Sequence, residues 1–243
     1  MRFGLLIMPL VVLAGCGDIG QAEVSHSETG KAGTAGSRQY ALTGFDKISL
    51  EGPDDVTVRV GPAASVRAEG DDAVLDRMEI VVVDNELRVK RKKDSWNTNG
   101  PKGAAKVTVT LPQLAEAAIA GSGDMRIDRV KGRAFSGSVA GSGDLAVGAL
   151  EAETVDLSIA GSGDITITGT AQKVSSSIAG SGNIEGAGLT SDAASITTAG
   201  SGDTSLGVRQ TASVTLIGSG NATITGGAKC SVRKLGSGDA RCG

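Results

Sequence analysis

The sequence predicts an all-β protein, a parallel β-solenoid with about 18–20 residues per rung, and three observations lead there. A tetrapeptide, Gly-Ser-Gly-Asp or Gly-Ser-Gly-Asn, begins at Gly121, Gly141, Gly161, Gly180, Gly200, Gly218 and Gly236, at spacings of 20, 20, 19, 20, 18 and 18 residues. A repeat of that period marks stacked units, each contacting only its neighbours. Residues two before the first glycine are Ile119, Val139, Ile159, Ile178, Thr198, Leu216 and Lys234, and apolar residues recur at period two on both sides of the motif. That alternation belongs to strands with one inward face. Finally, glycine supplies 37 of 243 residues and aromatics only 2%. A core without large rings must be narrow, filled by Ile, Val, Leu and Ala.

Residues 1–15 read as an export signal. Arg2 gives the positive start, and Phe3 to Leu13 form an apolar run of eleven residues, short of the roughly twenty that span a bilayer. The run ends in Leu13-Ala14-Gly15-Cys16, which resembles a bacterial lipobox, so Cys16 is the expected lipidation site. An ordinary secretory leader with an incidental cysteine is the alternative. By resemblance to the bacterial sorting rule, Gly17 rather than Asp after the cysteine points to the outer membrane. Residues 16–38 lack apolar periodicity and read as a flexible tether with a reach of roughly 25 Å. His26, the one histidine, lies there and is expected to be solvated and idle.

The solenoid is assigned to 39–243, with irregular N-terminal rungs over 39–112. Ile48 to Leu50 and Val56 to Val60 are strands around Gly52-Pro53-Asp54-Asp55, a degenerate form of the later corner. Ala64 to Ala68 is a further strand, and Asp71 to Arg77 one helical turn capped by Asp71 or Asp72. Glu79 to Val83 and Glu86 to Lys90 flank the turn pair Asp84-Asn85, a hairpin signal. Arg91 to Lys106 is a polar loop, and Lys106 to Leu111 returns to strand. From 113 to 243 each rung is expected as strand, corner, strand and a looser connection of about six residues, with rungs about 4.8 Å apart. A right-handed coil is the default for parallel crossovers.

Several features could carry chemistry, and each has a plainer reading beside it. The corner glycines permit positive φ and close stacking, while Asp or Asn can hold a backbone amide. Stacked carboxylates could instead bind calcium, but Asn183 and Asn221 interrupt the charge, and a structural corner is preferred. Outward positions on the leading strands are small and polar, among them Ser136, Ser138, Asp156, Ser158, Ser175, Ser177, Ser195, Thr197, Ser213 and Thr215, which reads as a solvated face or a broad contact surface. The run Arg88, Lys90, Arg91, Lys92, Lys93 has no interleaved aromatics to stack bases, so nucleic acid is not an expected partner. A net charge of −3 agrees. No acidic cluster or histidine constellation points to catalysis, and neither cofactor nor metal is expected. Cys230 and Cys242 fall at inward positions of the last rung, on strands flanking one corner. In an oxidising compartment they read as a disulfide, with buried free thiols as the alternative.

The lead-in Ile48-Ser49-Leu50-Glu51-Gly52-Pro53-Asp54-Asp55-Val56, the segment Glu79 to Val89, and Val107 to Leu114 followed by the Ala-Gly-Ser-Gly-Asp repeats resemble the putative auto-transporter adhesin, head GIN domain family, over about Tyr40 to Gly243. The resemblance implies a β-solenoid on an exported bacterial protein and supplies no catalytic motif. The functional expectation is a non-enzymatic, lipid-anchored envelope protein serving adhesion or scaffolding, held to the membrane through its lipid and contacting an unknown protein or glycan. A polysaccharide-acting or calcium-binding β-helix is the alternative.

Overall fold

The computed structural model describes residues 35–92 and 103–243. Two ladders of strands run side by side along one axis, joined by a glycine corner in the β2–β3 rung and in every rung from β8–β9 onward. One ladder is built from the strands that lead into the corner. It runs β5 (Met78–Val83), β6 (Glu86–Arg91), β2 (Lys47–Gly52), β8 (Glu116–Gly121), β10 (Val130–Gly141), β11 (Leu145–Gly161), β12 (Ile165–Gly180), β13 (Ile184–Gly200), β14 (Thr204–Gly218) and β16 (Lys229–Gly236). All neighbours are parallel except β5 on β6. The other ladder runs β1 (Ala35–Tyr40), β4 (Ser65–Asp71), β7 (Lys106–Leu111), β3 (Asp55–Val60) and β9 (Met125–Ile127), continues through the first residues of β11 to β14, and ends on β15 (Ala222–Thr225) and β17 (Ala240–Cys242). The expected parallel β-solenoid is therefore present.

The first rungs do not stack in chain order. The β2–β3 rung lies between β6–β7 and β8–β9, because β2 pairs with both β6 and β8 and β3 with both β7 and β9. The short helix α1 (Asp72–Leu75) buries Val74 and Leu75 near this end, and Asp71 caps it by accepting from the Ala73 amide at 2.9 Å. The β5–β6 turn is Asp84-Asn85, both at positive φ (52° and 64°), the two-residue conformation that matches the twist of a hairpin.

Two expectations need correction. The tether expected over 16–38 stops short of residue 38, because β1 starts at Ala35 and pairs antiparallel with β4 throughout. Backbone groups make that ladder, so a polar Gly-Ser-Arg-Gln stretch without apolar alternation can still supply a strand that ends on the partly buried Tyr40. The connections, expected to be loose, also pair from rung to rung: Val130 to Gly132 lie on Leu150 to Ala152, which lie on Gly169 to Ala171. Differences in repeat length are taken up there, as register shifts between Val147 and Leu150, Thr166 and Gly169, and Gly186 and Thr190. Corners and flanking strands keep register throughout.

The interior is a stack of apolar columns. Ile119, Val139, Ile159 and Ile178 are 1–2% exposed and sit directly on one another, as do Met125, Leu145, Ile165 and Ile184 on the other side of the corner. Burying one such side chain contributes about 1.5–3 kcal/mol, and this repeated gain substitutes for the aromatic core the chain lacks.

Candidate functional site

The corners determine which surfaces the solenoid presents. At Gly141, φ is +134°, and a Cβ there would stand 2.2 Å from the Gly121 carbonyl oxygen; at Gly143 it would stand 2.1 Å from that of Gly123. Only a residue without a side chain lets successive corners stack so closely. The Gly121 carbonyl accepts from the amides of Ser142 (2.9 Å) and Gly143 (3.1 Å), and the same pattern is repeated by Gly141 and Gly161.

The acidic row forms a second ladder between rungs. Asp55 Oδ1 accepts from the Asp124 amide (3.2 Å), Asp124 from Asp144 (3.0 Å), Asp144 from Asp164 (2.9 Å) and Asp164 from Asn183 (2.7 Å). It continues from Asn183 to Asp203 (2.9 Å), Asp203 to Asn221 (2.7 Å) and Asn221 to Asp239 (3.0 Å). Sequence reasoning expected Asp or Asn to hold a backbone amide without saying which; the amide held belongs to the next rung. It also treated the two asparagines only as interruptions. Each is a donor: Asn183 and Asn221 give their Nδ2 hydrogens to Asp164 and Asp203 at 3.0 Å, relieving repulsion between neighbouring carboxylates. Among the described residues no three His, Cys, Asp or Glu side chains form a metal-binding group.

The basic cluster is committed to ion pairs and backbone contacts. Arg88 donates to Glu86 (2.7 Å), Lys90 faces Glu79 (3.4 Å), Arg91 holds Asp54, and Lys92 donates to the Asp76 carbonyl (2.9 Å). Lys93 lies outside the described residues. Perturbed titration follows the same pairs. The Arg88 hydrogen bond holds the Glu86 carboxyl below its usual range, and Lys234 does the same to Asp239. Asp54, Asp76 and Glu86 raise Arg91, Arg38 and Arg88 respectively. These are structural pairs; they do not converge on a cleft.

The outward face of the leading-strand ladder differs in character. From β10 to β14 its rows are Ser136, Asp156, Ser175, Ser195 and Ser213; Ser138, Ser158, Ser177, Thr197 and Thr215; and Ala140, Ala160, Ala179, Ala199 and Ile217. Asp156 is the single charge among these fifteen positions. It borders a shallow depression of about 460 Å³ that also includes Thr154, Lys173, Ser175 and Ser195. Neighbouring hydroxyl groups repeat at the rung spacing of about 4.8 Å, which gives a nearly neutral array of donors and acceptors.

The cysteines divide in two. Cys16 lies outside the described residues, as does His26. Cys230 and Cys242 form a disulfide with Cα atoms 6.5 Å apart, tying β16 to β17 across the last corner. Both were placed on inward positions, but Cys230 is only half-buried and Cys242 exposed, because no further rung covers them. Lys234, also at an inward position, pairs with Asp239 at 3.1 Å. Among the described residues no helix is long and apolar enough to cross a membrane.

Comparison with known proteins gives a consistent result. A family model described as putative auto-transporter adhesin, head GIN domain, matches residues 44–228. Among solved structures, a putative adhesin of Bacteroides fragilis is 23% identical, with a TM-score of 0.78 over 86% of this chain and 96% of that one. A putative lipid binding protein of Parabacteroides distasonis is 23% identical, with a TM-score of 0.70 over 87% and 98%. A putative adhesin of the same species reaches 0.67 at 22% identity, over 86% and 97%. At these identities the likeness establishes the fold. No curated protein matches the sequence.

Proposed function

The chain belongs to the putative auto-transporter adhesin, head GIN domain family, and from that premise we propose a non-enzymatic cell-envelope protein, lipid-anchored at Cys16, whose leading-strand face makes adhesive or scaffolding contacts. The observation that carries this reading is the fifteen-position face with a single charge, repeating at rung spacing. Such an array offers many weak, equivalent hydrogen bonds, suited to a repetitive protein or glycan partner rather than to one small molecule. Lipid uptake into the coil is disfavoured, since columns such as Ile159 and Ile165 already fill it.

The test has two parts. Mass spectrometry of the native protein should find acyl chains on Cys16, and protease treatment of intact cells should reveal whether the solenoid faces outward. Cells carrying Ser158→Arg with Ser177→Arg should then lose adhesion to a matrix-protein and glycan panel while the purified variant keeps its melting temperature. Adhesion equal to that of the parent, or a solenoid confined to the periplasm, refutes the adhesive role.

A further inference from the structure

We propose that the last two rungs form a docking surface for an anionic phospholipid bilayer, with Ile217 and Leu235 entering the boundary of the acyl layer and Lys229 and Arg233 meeting the head groups. The outward row next to the corner is Ala120, Ala140, Ala160, Ala179 and Ala199, and then changes to Ile217 and Leu235. An outward position adds nothing to the core, so packing of the coil does not call for the two larger side chains. Ile217 is 47% and Leu235 73% exposed, and Val232, at the open end, 41%. Of the four large apolar side chains exposed among the described residues, only Val83 lies elsewhere. Scattered singly such residues are ordinary; gathered beside charge of one sign they mark a contact surface. Lys229, Ser231, Arg233 and Leu235 alternate with Cys230, Val232 and Lys234, which places the first four on one side of β16. Lys234 and Arg241 share Asp239, at 3.1 and 3.9 Å. Among the described residues Lys229 and Arg233 make no ion pair.

Shape and composition favour a bilayer over a protein partner. A stable protein contact needs about 800 Å² from each side, and it draws on aromatic side chains while avoiding lysine. Here a few aliphatic side chains project at the end of a coil, and no aromatic residue occurs between Thr204 and Gly243. A fluid bilayer conforms to whatever projects into it, and basic residues near its surface strengthen binding when the lipids are anionic. Only side chains need to enter. The outer edge of β16, which pairs on one side with β14, can stay at head-group level, where water satisfies its backbone. This surface meets the β10–β14 face only at Ile217, so it is a contact separate from the adhesive one.

The test uses the chain from residue 16 onward carrying Cys16→Ser, so that neither the apolar leader nor a lipid binds vesicles. It should co-sediment with vesicles of phosphatidylglycerol and phosphatidylcholine in equal parts, and bind pure phosphatidylcholine about tenfold more weakly or less. Ile217→Ala with Leu235→Ala gives these rungs the residue carried by the five before them. That variant should keep its melting temperature and bind the mixed vesicles about tenfold more weakly. Lys229→Glu with Arg233→Glu should weaken binding to a similar degree. The same reversal at Lys131 and Arg133, at the start of β10, changes net charge equally and should leave binding within about twofold. Failure to bind the mixed vesicles, equal binding to neutral ones, no effect of the alanine pair, or equal losses from the two reversals would each overturn the proposal. A surface that instead joins two copies in sedimentation velocity, with vesicles left unbound, would overturn it too.

Discussion

Arg91 grips Asp54 across 37 residues of sequence, Nε at 3.0 Å and Nη2 at 2.8 Å, and the carboxylate is wholly buried. Asp54 occupies the corner of the β2–β3 rung, where the later corners have their second glycine. The same carboxylate accepts from the Ala105 amide at 2.8 Å. One side chain thus pins the end of β6 and the approach to β7 to the neighbouring corner. Replacing Arg91 by Met leaves that charge buried with its main partner gone. Urea unfolding should show a loss of about 3 kcal/mol or more.

The corner ladder predicts different outcomes for two similar substitutions. Asp164→Asn keeps an oxygen acceptor for the Asn183 amide and should change stability little. Asp164→Ala removes it and should cost about 1 kcal/mol. Equal melting temperatures for the two variants would mean that the ladder contributes nothing.

Gly143→Ala places a methyl group 2.1 Å from a backbone oxygen of the rung below. The atoms it meets are all backbone of Gly123, which leaves little room to relax, so we expect a loss of about 4 kcal/mol or more, among the larger effects of single substitutions. Circular dichroism melting checks it, with Ser142→Ala, at an exposed position, as the control.

Thr198 and Thr204 sit in the core columns with hydroxyl oxygens that have no partner among the described residues. Thr198→Val or Thr204→Val keeps the branched shape and removes the unmet group. Each should stabilise by about 1 kcal/mol, read from denaturant midpoints.

Acid should loosen the β6 side of the first rungs. The folded-state pKa of Glu86 is depressed below its ordinary 4.5, chiefly by Arg88, so its pair contributes stability above pH 4.5 and loses it as pH falls through the lower folded value. Glu86→Gln should flatten that acid limb in a series of melts.

Much of this structure was readable because it is periodic. Strands, corners and the Cys230–Cys242 pair follow from aligning seven tetrapeptides, and the Asp84-Asn85 hairpin follows from turn chemistry. The β2–β3 rung's place between later strands could not be read, since nothing in local pattern says which parallel neighbours meet. β1 was missed because backbone pairing needs no apolar signature. Lys234 stands in line with Leu216 of the preceding rung, and its pairing with Asp239 could not be read from the sequence. The Ser/Thr face was visible as a list of outward residues, but its near-neutrality across five rungs emerges only when register is known.

Because repeat-length differences are absorbed in the paired connections, every corner remains in phase with the next. The coil therefore behaves as a ruler with divisions of about 4.8 Å. Duplicating or deleting a whole repeat would lengthen or shorten the presented face by one such division without rewriting either end. Reach can vary between related chains by counting rungs, while the chemistry of contact stays constant.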